Sequence, residues 1–355
     1  MKEPSAELII DIDVIRNNTI YLKSLLNPNT KFMAVLKANA YGHGLQKIVE
    51  GINDIVDGFG LVRIEEALKV RNFSNKTILL MQGLYNKEDL DLAIKNNFDS
   101  VIHNQDQLFI LDNKKIHIWI KVNTGMNRLG FSSKEFFKIY KGRLTSREFT
   151  LMSHLACSDS PSDELNNKQF DLFNDVAKSY QDTMPKSIAN TGCILNFPQK
   201  NFDWVRSGIG LYGGFIGNDI LKTAMTFRSQ IIEIKNIIKG DRIGYNGRVI
   251  ASHDMKIAIV YAGYADGFPQ ATLDNTKVSI NNHSANIFGQ VSMDLLSIDI
   301  SNIPNCKIGD WCIFWEKNNS IKNLAVKNNL ISYELMTRIT SRAVSYTHLT
   351  LPTKA

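Results

Sequence analysis

Residues 32–44 read FMAVLKANAYGHG. Five apolar residues, Phe32 to Leu36, suit a buried parallel strand. Lys37 stands where that strand opens into a polar, glycine-bearing turn. An amine at such a boundary is poorly solvated, which depresses its pKa and makes it a better nucleophile. A lysine taken alone is more often a solvated strand end, because exposed lysines are the norm.

Other polar residues also follow apolar runs. His154 lies in LMSHLA, Asn190 and Thr191 follow SIA at 187–189, and Arg206 opens RSGIGLYG at 206–213. Singly, each has an ordinary explanation: a hydrogen-bonded core histidine, a helix cap, a structural ion pair. Together they suit an anion or cofactor site. Small residues at Thr191, Gly192, Gly208 and Gly210 let backbone N–H groups approach a phosphate, and helix N-termini favour its charge. Tyr264, in GYADG at 263–267, reads either as a turn tyrosine ahead of Asp266-Gly267 or as a phenolic base.

These residues need a frame. The chain has 355 residues, which suggests two domains. Apolar residues make up 44% and charged residues 21%, enough for a sizeable core and against disorder. The net charge of +6 is spread along the chain, so neither nucleic acid nor an anionic membrane is implied as a partner. Cys157, Cys193, Cys306 and Cys312 make no close pair with metal-ligand spacing and no disulfide framework, so no metal is expected. MKEPSAELII lacks the pattern of a signal peptide, and no membrane span is read; a cytoplasmic protein is the expectation.

From residue 12 to about 210, short apolar runs alternate with helical periods. Strands are predicted at 31–37, 57–61, 77–81, 99–102, 115–122, 149–154, 186–189 and 203–206, with helices at 44–54, 64–71, 87–97, 104–112, 133–142 and 163–180. Ile12, Ile15, Leu22 and Leu25 share one helical face ahead of the first strand. Eight such units fit a (β/α)8 barrel, whose strand C-termini carry the active site; a doubly wound open sheet fits the periodicity equally. Beyond 222 the texture becomes mostly β: 231–238, 255–261, 277–280, 285–287, 295–300 and 311–315 read as strands, and helical signals return at 321–338. The expected division is a barrel over 1–222, a β domain over 223–343 and a tail over 344–355. That tail, VSYTHLTLPTKA, breaks the preceding pattern and resembles translated sequencing-adapter read-through, so it is expected to be non-native.

KANAYGHG (37–44), NTGMNRLG (123–130), SHLA (153–156), ANTG (189–192), RSGIGLYG, GYADG and VSMD (291–294) fall in the order found in alanine racemases, and the resemblance spans nearly the whole chain to Arg342. It favours an N-terminal (β/α)8 TIM-like barrel in the α/β class plus a C-terminal mostly β domain. It implies a homodimeric, pyridoxal 5'-phosphate (PLP)-dependent isomerase that interconverts L- and D-alanine and supplies D-alanine for peptidoglycan. By this resemblance Lys37 holds PLP as a Schiff base and is one catalytic base, and Tyr264 is the other. Tyr41, Asn190, Thr191, Gly208 and Ile209 resemble phosphate contacts. His154 resembles the residue flanking the pyridine ring, and Arg206 the partner of its nitrogen. Arg128 and Met293 resemble substrate-carboxylate contacts, and Lys121 matches a lysine carbamylated in some members. Tyr264 and Met293 would enter the site from the partner subunit. A broader amino-acid racemase, a PLP decarboxylase and a non-catalytic PLP-binding protein are the alternatives.

Two bases on opposite faces are what racemisation requires, since the α-proton leaves one side of a planar carbon and returns on the other. An arginine at the pyridine nitrogen keeps the ring largely unprotonated, which restrains side reactions. A cationic pair, His154 and Arg206, is expected to lower the tyrosine pKa. The sequence departs from many relatives at Ser292, Gln290 and Ser341, where cysteine, arginine and a phosphate-contacting tyrosine are common.

Overall fold

Each barrel repeat is an apolar strand followed by a helix with its own start signal. Asn86 and Asn104 accept from the N–H groups of Asp89 and Gln107, and Ser132 with Glu135 forms a capping box. The computed structural model describes residues 5–348 apart from 113, 146 and 181–183. Eight parallel strands follow one another in the sheet: Lys186–Ser187, Phe149–Met152, Ile118–Lys121, Asp99–Ile102, Thr77–Leu80, Gly58–Leu61, Lys31–Val35 and Trp204–Ser207. The Arg206 N–H donates to the Ala189 carbonyl at 2.9 Å, which brings the last strand back to the first of that order. The predicted α/β barrel therefore holds, and the open doubly wound sheet does not. Met33, Leu79, Val101, Trp119, Met152 and Trp204 fill the interior as one buried cluster.

The first strand is shorter than predicted. It ends at Val35, and Lys37 opens a left-handed turn in which Ala38, Asn39, Ala40 and Tyr41 all have φ between 53° and 55°. Each non-glycine residue in that conformation costs about 1–2 kcal/mol. Several bonds hold it: Ala40 N–H to the Leu36 carbonyl at 2.8 Å, Asn39 N–H to Glu66 Oε1 at 2.8 Å and Leu45 N–H to Asn39 Oδ1 at 2.9 Å.

By compactness the chain falls into two units: Arg16–Ala40 with Gly44–Leu211, and Met1–Ile15 with Tyr41–His43 and Tyr212–Ala355. The second unit is built on an eight-stranded, mostly antiparallel sheet, with helices at Ile321–Lys327 and Ser332–Thr337. Asn281 and Asn282, both at positive φ, form the two-residue turn between strands Lys277–Ile280 and His283–Ile287. Two strands of this sheet were not read from the sequence. Ala6–Asp11 pairs antiparallel with Met225–Ile237, and Val344–His348 pairs parallel with Ala6–Asp11. Residues 349–355 of the tail lie outside the described residues. No helix among the described residues is long and apolar enough to cross a membrane.

Candidate active site

Four cationic side chains converge at the C-terminal end of the barrel. Lys37 follows the first barrel strand, and Lys121 ends the strand Ile118–Lys121. Arg128 lies on the loop that returns from Lys121 to Phe131, closed by the Phe131 N–H donating to the Lys121 carbonyl at 2.9 Å. Arg206 lies in the last strand and is 2% exposed.

The neighbouring positive charges add to burial in lowering the proton affinities of the two lysines. Lys37 reaches solvent on a single chain, yet packing around its amine and then the Arg128 charge lower its pKa. Lys121 is brought down to about 8, by burial first and then by Arg206, Arg128 and Lys37. Arg206 falls to about 10 through burial and stays protonated at neutral pH. Such a concentration of positive charge is a receptor for an anion.

His154 lies among these groups, and its pKa falls well below the ordinary histidine value. Burial is the main cause, followed by Arg206, Lys121, Arg128 and Lys37. Arg206 Nη2 lies 3.3 Å from His154 Nδ1. The histidine is therefore neutral and accepts from the guanidinium. This corrects the expectation of a cationic His154–Arg206 pair: the positive charge belongs to the arginine and the lysines.

Arg206 is held by neutral acceptors. Nη2 donates to the Ser153 carbonyl at 2.6 Å, and Nη1 donates to Ser187 Oγ. Its Nε–H, also buried, has no hydrogen-bond partner among the described residues. An unmet buried donor carries a cost of about 1–3 kcal/mol, and an aromatic nitrogen lone pair would satisfy it. That unmet donor, with an amine of lowered pKa and a cationic surround, fits the chemistry of PLP, which bears a ring nitrogen, an aldehyde and a phosphate.

Asn190 caps the short helix Thr191–Asn196 by accepting from the Cys193 N–H at 3.0 Å, and it also accepts from Ser158 Oγ at 2.6 Å. Thr191 Oγ1 pairs with Ser207 Oγ at 2.9 Å and accepts from the Gly210 N–H at 3.3 Å. These bonds bring 190–191 beside 207–210, the segment of Gly208 and Ile209. The glycines here are also required by packing. A Cβ on Gly192 would meet Asp159 Oδ1 at 2.3 Å, and one on Gly210 would meet Thr191 Cγ2 at 2.6 Å. At both positions the packing of neighbouring protein atoms leaves no room for a side chain.

The second unit gathers the remaining residues. Tyr264 N–H donates to the Ser292 carbonyl and Ala265 N–H to the Met293 carbonyl, each at 3.0 Å, so the GYADG and VSMD loops run side by side. Tyr264 is 36% exposed and Met293 52% exposed. The Met293 N–H donates to no group among the described residues. Tyr41 packs its ring 4.9 Å from Tyr212 and 5.9 Å from Tyr333, and burial followed by the Tyr333 phenol raises its pKa. Tyr333 thus stands as a second phenol beside Tyr41. Tyr333 has no signal in the sequence beyond an aromatic in a short helical period. Gln169, fully buried, carries no motif either; its Nε2 donates to the His154 carbonyl at 2.9 Å and its Oε1 accepts from the Ala156 N–H at 2.8 Å.

Residues 10–215 match the model of the alanine racemase N-terminal domain, and residues 224–347 match that of the C-terminal domain. The chain belongs to the alanine racemase family. Its relatives include an alanine racemase of Shewanella denitrificans, 37% identical over 335 residues, which are 89% of this chain and 92% of the relative. Another, from Vesicomyosocius okutanii, is 39% identical over 342 residues, 94% and 96% of the two chains. Among solved structures, the alanine racemase of Acinetobacter baumannii superposes with a TM-score of 0.93 at 32% identity, covering 98% of this chain and 100% of that one. The alanine racemase of Bartonella henselae, described with covalently bound pyridoxal phosphate, gives 0.89 at 28% identity over 97% and 99%. Membership of the alanine racemase family makes the chain an enzyme of the isomerase class.

Proposed function

We propose that this enzyme interconverts L- and D-alanine by a two-base mechanism in a homodimer, with PLP as its cofactor. The observation that carries the reading is the buried, unmet Nε–H of Arg206 in a barrel mouth where Lys37 has a lowered pKa. PLP, when bound, supplies an electron sink that acidifies the substrate α-carbon. Lys37 would hold its aldehyde carbon and Arg206 Nε its ring nitrogen, with neutral His154 beside the ring. Tyr41, Asn190, Thr191, Gly208 and Ile209 would hold the phosphate, and Tyr333 joins them as a second phenol next to Tyr41.

Lys37 Nζ takes or returns the α-proton on one face. Tyr264 of the partner subunit does so with its hydroxyl on the other. Arg128 and the Met293 N–H of the partner subunit bind the substrate carboxylate. Lys121, neutral in part near pH 8, is nucleophilic enough to take up CO2 as a carbamate. That modification would convert one of four crowded cations into an anion beside Arg128. The D-alanine formed would feed peptidoglycan assembly. The proposed division is a barrel to residue 222, a β domain over 223–343 and a non-native tail over 344–355.

The test is a D-amino-acid assay of purified enzyme across several L-amino acids, with the visible spectrum recorded in parallel. D-alanine formation by a yellow protein is expected. Racemisation of lysine or arginine in preference to alanine would favour the broader racemase, and a yellow but inert protein would overturn catalysis.

A further inference from the structure

We propose that Arg342 is a positioning residue for racemisation: it clamps together the two loops that present Tyr264 and the Met293 amide. The proposal rests on the two-base reading above and adds to it a residue that never touches substrate.

Three stretches of the second unit meet here. Arg342 Nη2 donates to Asp294 Oδ1 at 2.8 Å, and its Nε lies 3.4 Å from Asp266 Oδ1. Asp294 follows Met293 directly, and Asp266 is two residues from Tyr264. Asp266 is 5% exposed and uses its other oxygen to accept from the Gly263 N–H at 2.9 Å, which fixes the turn on which Tyr264 sits. One guanidinium therefore engages both loops through one carboxylate each.

The backbone continues the clamp. Thr340 N–H donates to the Asp266 carbonyl at 3.1 Å, and Thr340 Oγ1 donates to the Ala265 carbonyl at 2.8 Å. The fit between these segments leaves no space for a side chain at either glycine of the turn. A Cβ on Gly263 would lie 2.3 Å from the Ser292 and Met293 carbonyl oxygens, and one on Gly267 would lie 2.5 Å from the Arg338 carbonyl oxygen.

Arg342 and Asp294 are both substantially exposed, with 43% and 50% of their side-chain surface accessible. Exposed ion pairs contribute little to global stability. Their effect here is local. A phenol and an amide on separate loops must hold fixed positions to serve one reacting carbon, and small displacements of such groups lower rate steeply. Arg342 therefore matters for geometry more than for folding.

The test compares Arg342→Ala, Arg342→Lys and Tyr264→Phe holoenzymes with the parent. It measures kcat, KM for alanine, thermal midpoint and the α-deuterium isotope effect with L- and with D-alanine. For Arg342→Ala we expect a nearly unchanged midpoint, a KM raised severalfold and a kcat lowered by about tenfold or more. The isotope effect with L-alanine, whose α-proton we assign to Tyr264 as part of the two-base reading, should rise relative to that with D-alanine, in the sense shown by Tyr264→Phe. Arg342→Lys keeps the charge without the two-pronged reach and should fall between. Lower kcat with both isotope effects unchanged would mean loss of active molecules and overturns the proposal. If Tyr264→Phe shifts the L-alanine effect and Arg342→Ala does not, the clamp is refuted and the two-base reading stands. If Tyr264→Phe shifts nothing, that reading fails and the proposal falls with it.

Discussion

Arg206 Nη2 sits 3.3 Å from His154 Nδ1 and 2.6 Å from the Ser153 carbonyl oxygen. A guanidinium donates and cannot accept, so the facing histidine nitrogen must carry a lone pair. One arginine thereby fixes the protonation state and tautomer of its neighbour while keeping its own Nε–H for another acceptor.

Replacing Arg206 by lysine keeps a positive charge but removes the Nε donor and the planar fork. A hydrogen bond to a charged group is worth about 1.5–3 kcal/mol. Cofactor affinity should fall by roughly ten- to a hundredfold, and kcat should drop with it. Titration of apo-enzyme with PLP, followed by visible absorbance, measures the first. Unchanged affinity would remove Arg206 from the cofactor site.

Lys37→Ala should abolish both racemase activity and the visible absorbance of the bound cofactor. A spectrum of the purified variant after incubation with PLP and dialysis decides it. A variant that stays yellow and active would show that the amine is held elsewhere.

Lys121 gives a pH signature to the apo-enzyme. Its pKa is about 8 when folded, against a reference of 10.5. Below pH 8 both folded and unfolded chains hold the proton, and the folded chain bears the full cost of a buried charge. Between pH 8 and 10.5 the unfolded chain binds more protons than the folded one, so stability from this group rises with pH. Lys121→Met should therefore stabilise the apo-enzyme near pH 7, by on the order of 3 kcal/mol, and the gain should vanish by about pH 10.5. Denaturant midpoints across this range, in buffer freed of CO2, measure it. An equal gain at all pH values would mean that Lys121 is not the titrating group.

Removing the tail is expected to leave the chemistry untouched. Val344–His348 pairs with Ala6–Asp11 through backbone groups, which any sequence supplies, and Val344 and Tyr346 are largely exposed. Deleting residues 344–355 should leave kcat within about twofold and lower the thermal midpoint by a few degrees. Deleting from Thr340 onward should abolish activity, because Thr340 and Arg342 go with it. Severe loss on the shorter deletion would show that the tail is part of the working enzyme.

The barrel was legible because its signals are local. Apolar runs of strand length, caps such as Ser132 and amphipathic periods recur in register, and Lys37, Lys121 and Arg206 fall near strand ends that such a fold directs to one face. What escaped the sequence depends on long-range pairing. Ala6–Asp11 reads as an undistinguished apolar stretch until Met225–Ile237, more than two hundred residues on, pairs with it. The left-handed turn at 38–41 could not be read because three of its residues are alanine or tyrosine, which local propensity assigns elsewhere. Gln169 and Tyr333 carry no motif. The fold alone brings one beneath His154 and the other beside Tyr41.

The central claim is that a working site needs Lys37 of one subunit and Tyr264 of the other. Coexpression of Lys37→Ala and Tyr264→Phe chains bearing different tags, followed by isolation of the mixed dimer, tests it most directly. Each parent variant alone should be nearly inactive. The mixed dimer carries one site with both bases intact, so its specific activity should reach about half that of the parent enzyme. A mixed dimer no more active than the two variants would contradict a shared site.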